Sequence, residues 1–414
     1  MFGTLFLKEC KQVLRSMVYY IYVVAFVMFL SSQLGGELTD KMEKPVPGQG
    51  SYGTIVSHEE SVVMGNIMAN LVGETENNSY ATYPLGFYKR VTLNEEELSQ
   101  VKEIIENCTG KKWEEIIGEM EEHFSGYDQG TVEGAIQAQM EYRADVKDTL
   151  KYEDFCSSME KVCQLIGAGS SYSSKKLEAG VGAPMSYEQA LEEYEVFCRE
   201  DKVTGATARL FCDYAGIVLS VLPIFLGVTR CLRDRRAQAE QVIFAREASV
   251  FQIVGSRYLA NVCMAFLPVV FTAFVMQLPY QFHAETLGVA ADALAFLKYS
   301  FVWLLPEIMA VLAVSFFITE LTGGVISIFV QVFWAFASLF SAVGLQGDFA
   351  LKLIARWNAL GNTREFLRQR QELFLNRGFY FGLSVLLLIL TFAIYEKKRR
   401  EGGSIYGKIF KGRK

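Results

Sequence analysis

Few residues of this 414-residue chain have the types and spacing needed for chemistry on a small molecule. There are three histidines, His58, His123 and His283. His58 is followed by Glu59 and Glu60, but no second His stands four positions on. The HExxH pattern of a zinc hydrolase is therefore absent. The eight cysteines contain no CxxC pair. No nucleophile elbow, glycine-rich phosphate loop or paired-carboxylate signature stands out. What remains is Glu307, roughly in the middle of an apolar run, with Gln331 on the next run as a weaker partner. Ionisable groups inside a membrane are rare and tend to face a bundle interior or a cavity. Glu307 is thus a candidate for lining a substrate or water path, with a hydrogen-bonded packing residue as the alternative.

A second group of charges suggests docking rather than catalysis. Between Arg230 and Tyr258 the chain reads RCLRDRRAQAEQVIFAREASVFQIVGSRY, with six arginines. It joins two apolar runs, 210–229 and 258–280. Short loops rich in Lys and Arg beside membrane spans stay in the cytoplasm. Val242, Ile243, Phe244, Phe251 and Ile253 give this loop an apolar face, but too few apolar residues to span. A helix of this kind lies either on the membrane surface or against a soluble partner.

The elements that hold these residues follow from composition. The chain is 51% hydrophobic and 21% charged, which fits a division between membrane spans and a soluble part. Residues 35–209 carry sixteen Lys and Arg against thirty-two Asp and Glu, a net of −16. The whole chain is −6, so the remainder is +10. An acidic soluble part argues against nucleic-acid binding.

Residues 1–16 place Phe2, Leu5, Phe6, Cys10, Val13 and Leu14 at near-helical spacing with Lys8, Lys11 and Arg15 between them. This predicts an amphipathic helix in the membrane interface. Residues 17–34 are long enough to span and are expected to be a retained anchor rather than a cleaved signal. Further spans are expected at 210–229, 258–280, 297–319, 322–345 and 379–395, six in all. The basic tail 396–414 puts both termini in the cytoplasm. The expected fold is an all-α membrane protein. Between its first and second spans stands a large, mostly α extracytoplasmic domain, residues 35–209. Helices are expected there at 92–124, 133–159 and 186–197, with Thr92–Glu95 and Ser186–Gln189 as capping boxes. Residues 54–88 show a mixed pattern. Cys108, Cys156, Cys163 and Cys198 lie in this domain, and in an oxidising compartment they permit three pairings. Cys156 with Cys163 closes the shortest loop, and free buried thiols are the alternative. Residues 346–378 form an outer loop in which basic and apolar residues alternate. Two short amphipathic helices around Gly361, at the interface or dipping into the bundle, would fit it.

The arrangement resembles the ABC-2 type permeases, the membrane subunits of ATP-driven exporters. The resemblance rests on six spans, an amphipathic start, a large insert after the first span and a charged loop after the second. The residues that carry it are ATARLFCDYAGIVLSVLPIFLG and RDRRAQAEQVIFAREASVFQIVGSRYLA. It covers the spans, and the acidic insert carries little of it. The resemblance implies a separate ATPase subunit docking on a coupling helix around Arg236, Glu240, Phe244, Arg246, Glu247 and Phe251, and on the first helix. It also implies a second permease copy, or a related permease, completing the translocation path. The protein would sit in the plasma membrane lipid bilayer. The absence of GxxxxGK[ST] agrees with such a division of labour. ATP and Mg would be bound by the partner, with no cofactor and no catalysis in this chain. A different class stays open, a membrane sensor or regulatory protein whose extracytoplasmic domain binds a ligand.

Overall fold

The computed structural model describes residues 1–34, 44–48, 52–84, 88–127, 138–139, 141–340, 346–347 and 349–401. The chain is mostly helical and divides into two compact units. One is essentially Lys44–Glu193; the other comprises Met1–Glu43, Tyr194–Leu339 and Leu345–Lys414.

In the Lys44–Glu193 unit, the helix Glu60–Glu76 is the centre. Val63, Ile67, Met68, Leu71 and Val72 are buried on it. Against it pack Glu95–Thr109, Trp113–Ser125 and Tyr152–Ile166. The last of these buries Phe155, Met159, Val162 and Ile166, one stripe at intervals of three and four. Two short antiparallel pairs flank the helices. Thr54–Ser57 pairs with Val181–Pro184, Ile55 opposite Ala183; Tyr80–Thr82 pairs with Lys89–Val91, Tyr80 opposite Val91.

Helix ends follow capping chemistry, with one correction. The capping box expected at Thr92 forms two residues later. Asn94 accepts from the Glu97 amide at 2.9 Å, and Glu97 accepts from the Asn94 amide at 3.0 Å. Asn is as good an N-cap as Ser and better than Thr. The helix stops at Gly110, whose φ of 78° suits a left-handed cap. The Ser186–Gln189 box is formed as expected. The helix expected over 133–159 is not continuous. Residues 133–137 lie outside the described residues, 142–151 are non-helical, and the helix begins at Tyr152.

The second unit is a bundle. Five of its helical stretches are long and apolar enough to cross a membrane: Met17–Leu34, Thr204–Arg236, Phe251–Thr286, Ala295–Thr322 and Thr363–Glu401. The helix Ile326–Phe340 is apolar but has fifteen residues. At 1.5 Å per residue it is about 22 Å long, shorter than a hydrocarbon core of about 30 Å. Residues 341–345, which the expected span 322–345 includes, lie outside the described residues, as do 402–414 of the basic tail. The helix Leu305–Thr322 is buried on every side by Ile308, Val311, Leu312, Ser315 and Phe316. It packs chiefly on Thr363–Glu401 and Pro223–Arg236.

Prolines shape the bundle. Pro223 lacks an amide hydrogen, and the chain turns at residues 220–222 between the helices Thr204–Leu219 and Pro223–Arg236. The Ile224 amide bonds the Val221 carbonyl at 3.1 Å, which leaves the Ser220 carbonyl without its helical donor. Gln331 donates to that carbonyl at 2.7 Å, and Ser315 donates to the Ile224 carbonyl at 3.2 Å. Gln331, on a neighbouring helix, therefore satisfies the backbone carbonyl that the proline turn leaves open.

Candidate functional site

Two charged clusters stand out in the bundle unit. The first ties together the chain's beginning and the 230–257 connection. Arg230 donates to Glu9 through Nε at 2.5 Å and Nη2 at 2.6 Å. Its Nη1 reaches Asp234 at 3.3 Å, one helical turn on. Arg257 donates to Asp234 at 2.5 Å and lies 3.7 Å from Glu9. Both arginines are over nine-tenths buried. The result is an alternating ring of two guanidinium groups and two carboxylates. It joins Phe2–Leu14, Pro223–Arg236 and Ser256–Thr286.

The connection over this ring differs from the expected coupling helix. Only Glu240–Phe244 is helical, a single five-residue turn. Arg246 and Glu247 lie in a non-helical bend, and Phe251 opens the π-helical turn leading into Ser256–Thr286. Arg236 and Glu240 do not share a helix; the chain leaves helical geometry at Ala237, and Gln238 adopts φ 51°. A continuous helix over 236–251 is thus replaced by a braced loop. The brace is Arg399, which donates to the carbonyls of Phe244 (2.9 Å), Ala248 (2.8 Å) and Arg246. Phe244 meets Tyr395 edge-on at 5.5 Å, and Phe251 stacks on Phe2 at 5.7 Å and touches Phe392 at 5.8 Å. Of the six expected docking residues, Arg236, Arg246, Glu247 and Phe251 are exposed, while Glu240 and Phe244 are half-buried. Val242 is 64% exposed.

The second cluster lies within the bundle. Glu307 is fully buried and accepts from Arg377 Nη1 at 3.1 Å; the same nitrogen donates to the Leu353 carbonyl at 3.2 Å. Gln331 is not its partner, because the Gln331 amide is engaged at Ser220. Glu307 Oε1 and Arg377 Nε and Nη2 have no hydrogen-bond partner among the described residues. In the same unit, Asp213 accepts from Arg356 at 2.8 and 3.1 Å and from the Trp357 amide at 2.6 Å. Asp201 accepts from Arg209 at 2.7 Å and from Thr363 at 2.6 Å. The Arg209 guanidinium also sits 4.4 Å from the Phe366 ring.

These contacts revise the expected outer loop. In place of two short helices around Gly361 there is a turn of strand pairing, Gln346–Gly347 with Arg356–Trp357. From Thr363 a single 39-residue helix runs to Glu401. Phe349, Leu353, Ile354, Ala355 and Trp357 are buried in the bundle core. Arg356 and Arg377 are internal partners of carboxylates, not interfacial charges. Sequence reading missed both, together with Arg209, Asp213 and Asp201. The available signal was the coincidence of surplus arginines in one segment with acidic residues at span ends elsewhere.

No protein-family model, curated protein or solved structure matches the chain. The remaining site residues are cysteines, three in the Lys44–Glu193 unit and one, Cys198, in the bundle unit. Cys108, Cys156, Cys163 and Cys198 are free thiols. Cys156 and Cys163 sit seven residues apart on one helix, about 10.5 Å along its axis. A disulfide tolerates a Cα separation of up to about 6.8 Å, so helical geometry excludes this candidate pairing and leaves the free-thiol alternative. Burial pushes the Cys108, Cys156 and Cys198 thiols up from their ordinary value, which disfavours the reactive thiolate. No group of three metal-ligating side chains occurs among the described residues. The Lys44–Glu193 unit does contain a cleft of about 750 Å³, walled by Tyr83, Tyr142, Tyr172 and Phe124, with Asn70 and Arg90 at its edge. Glu74 in it is occupied by the Tyr172 hydroxyl at 2.5 Å and the Ala81 amide at 2.9 Å.

Proposed function

We propose that this chain is the permease subunit of an ATP-driven exporter of the ABC-2 type, moved by a separate ATPase that docks on the 237–250 connection. In this reading the bundle completes six crossings of the plasma membrane with Ile326–Phe340. Both termini are cytoplasmic, the Lys44–Glu193 unit is extracytoplasmic, and a second copy or a related permease forms the other half of the path. The observation that carries the reading is the braced connection. Val242 and Glu247 face outward, while Arg399 ties the backbone beside them to the last helix, and the ring of Glu9, Arg230, Asp234 and Arg257 joins the helices at either end of the connection to the first helix. A push on such a loop is transmitted rather than absorbed. A partner that binds one arrangement of these helices more tightly than another shifts their equilibrium by that difference in affinity.

The test is co-purification in mild detergent, with Val242→Asp and Glu247→Arg beside the unaltered chain. Both side chains are exposed, so the substitutions leave the packed brace intact. A P-loop protein should accompany the unaltered chain and be lost with either variant at equal expression. Absence of any ATPase, or undiminished capture by both variants, refutes the docking surface. One observation favours the sensor reading instead, the aromatic-walled cleft in the Lys44–Glu193 unit, whose volume falls in the range of small-molecule sites. Capture of a kinase or transcriptional regulator in place of an ATPase would favour it.

A further inference from the structure

A cavity of about 220 Å³ lies between the first helix and the 237–250 connection. At about 30 Å³ for each water-sized group, it has room for roughly seven. Its floor is the closed ring of Glu9, Arg230, Asp234 and Arg257, in which charge is balanced two against two. Two more cations line it, Lys8 and Arg246. Both are exposed, and neither has an acidic partner among the described residues. The cavity therefore carries two uncompensated positive charges beside a balanced floor. Because the floor carboxylates are already engaged, an incoming anion is not repelled by free acids. Arg399 pins the Arg246 carbonyl and its neighbours, so the site is largely formed in advance.

We infer that this cavity binds a phosphate group, and that its source is the headgroup of an anionic phospholipid. Two features favour lipid over a free anion. Leu5 and Ile243 form an apolar wall, suited to the glycerol and first methylenes of a lipid. The same first helix exposes Leu7 (68%) and Leu14 (45%), the apolar residues of a helix lying in an interface. Basic pockets at the membrane surface are a recurrent means of holding such headgroups. This inference does not depend on the ATPase reading. It makes the first helix lipid-responsive, because a bound headgroup would bridge Lys8 on that helix to Arg246 on the connection.

The experiment uses the full chain in a neutral detergent, with melting temperature read from tryptophan fluorescence. Three probes are titrated: dioctanoyl phosphatidylglycerol, dioctanoyl phosphatidylcholine and sodium phosphate. The variants are Lys8→Gln with Arg246→Gln, and a control of equal charge loss outside the cavity, Arg236→Gln with Lys397→Gln. The phosphatidylglycerol analogue should stabilise the unaltered chain at concentrations where the phosphatidylcholine analogue does not. The cavity variant should need at least tenfold more of it than the control variant. Melting without ligand reports whether each variant is folded, and Lys8→Arg should retain the response. Equal weakening of cavity and control variants would mean diffuse surface attraction, which is about fivefold per charge, and would overturn the site. Equal response to both lipids would overturn it too. If sodium phosphate alone reproduces the stabilisation with the same dependence on Lys8 and Arg246, the phosphate site stands and its lipid source is overturned.

Discussion

The pair of Glu307 and Arg377 allows a sharp test of how the bundle is held. Both side chains are buried, and they join the helices Leu305–Thr322 and Thr363–Glu401. The perturbation is a cycle of three variants, Glu307→Met, Arg377→Met and the two together. Removing one partner leaves the other charge buried and alone, which typically costs about 3–5 kcal/mol. Three polar atoms of the pair already lack partners among the described residues, so little else can take over the orphaned charge. Replacing both members by apolar side chains of similar volume is often neutral or better. The double variant is therefore expected within about 1 kcal/mol of the unaltered chain. At roughly 2 °C per kcal/mol for a chain this large, each single variant loses about 6–10 °C of melting temperature and the double variant about 2 °C. Additive effects would instead give a loss of about 12–20 °C. The assay is thermal unfolding in detergent with all four proteins side by side. An additive double variant would show that the charges do not act as a pair. Single variants that lose under 2 °C would mean that neither is buried against the other.

Two further outcomes follow from local geometry. Alkylation of the denatured chain without reductant should add eight groups, one for each cysteine; six or fewer would reveal a disulfide and contradict the free thiols. A Cβ placed on Gly227 would lie 2.7 Å from the Ser315 Cβ, so Gly227→Val should lower stability by about 1–3 kcal/mol through overpacking, and Ser315→Gly in the same chain should restore part of it in a melting experiment.

What the sequence made legible was whatever repeats locally. The apolar runs located the long helices, because burying a helix backbone in lipid demands about twenty apolar residues in a row. Glycine marks two helix ends: Glu95–Thr109 stops at Gly110 and Leu305–Thr322 at Gly323, both at positive φ. The limits of the apolar runs did not give the limits of the helices. Thr363–Glu401 runs sixteen residues ahead of the expected span at 379, since its first four turns are charged outside but bury Phe366, Leu373, Asn376 and Arg377. The connection at 237–250 misled in the opposite direction. Its apolar positions fit helical spacing, but Arg399, more than 150 residues away, takes the carbonyls that a continuous helix would use for itself. The ion pairs were not legible either. Arg356–Asp213 and Arg230–Glu9 span 143 and 221 residues, and long-range pairing leaves no periodic trace.

Those pairs share a feature that bears on how the last third of the chain finds its place. Three carboxylates, Asp201, Asp213 and Glu307, stand on earlier elements. Their partners Thr363, Arg356 and Arg377 all come from the strand turn and the last helix. Desolvating each charge costs several kcal/mol and is offset only when its partner arrives with good geometry. A slip of the last helix by one turn moves Arg377 about 5.4 Å along the axis, far beyond hydrogen-bond reach of Glu307, and displaces Thr363 from Asp201 at once. Apolar packing alone penalises such a slip weakly, because the run VLLLIL at 385–390 presents similar side chains turn after turn. The charges therefore contribute less to total stability than to register. They make one seating of the final helix far better than its neighbours, so the brace that Arg399 supplies to the 237–250 connection depends on anchors near the other end of the same helix.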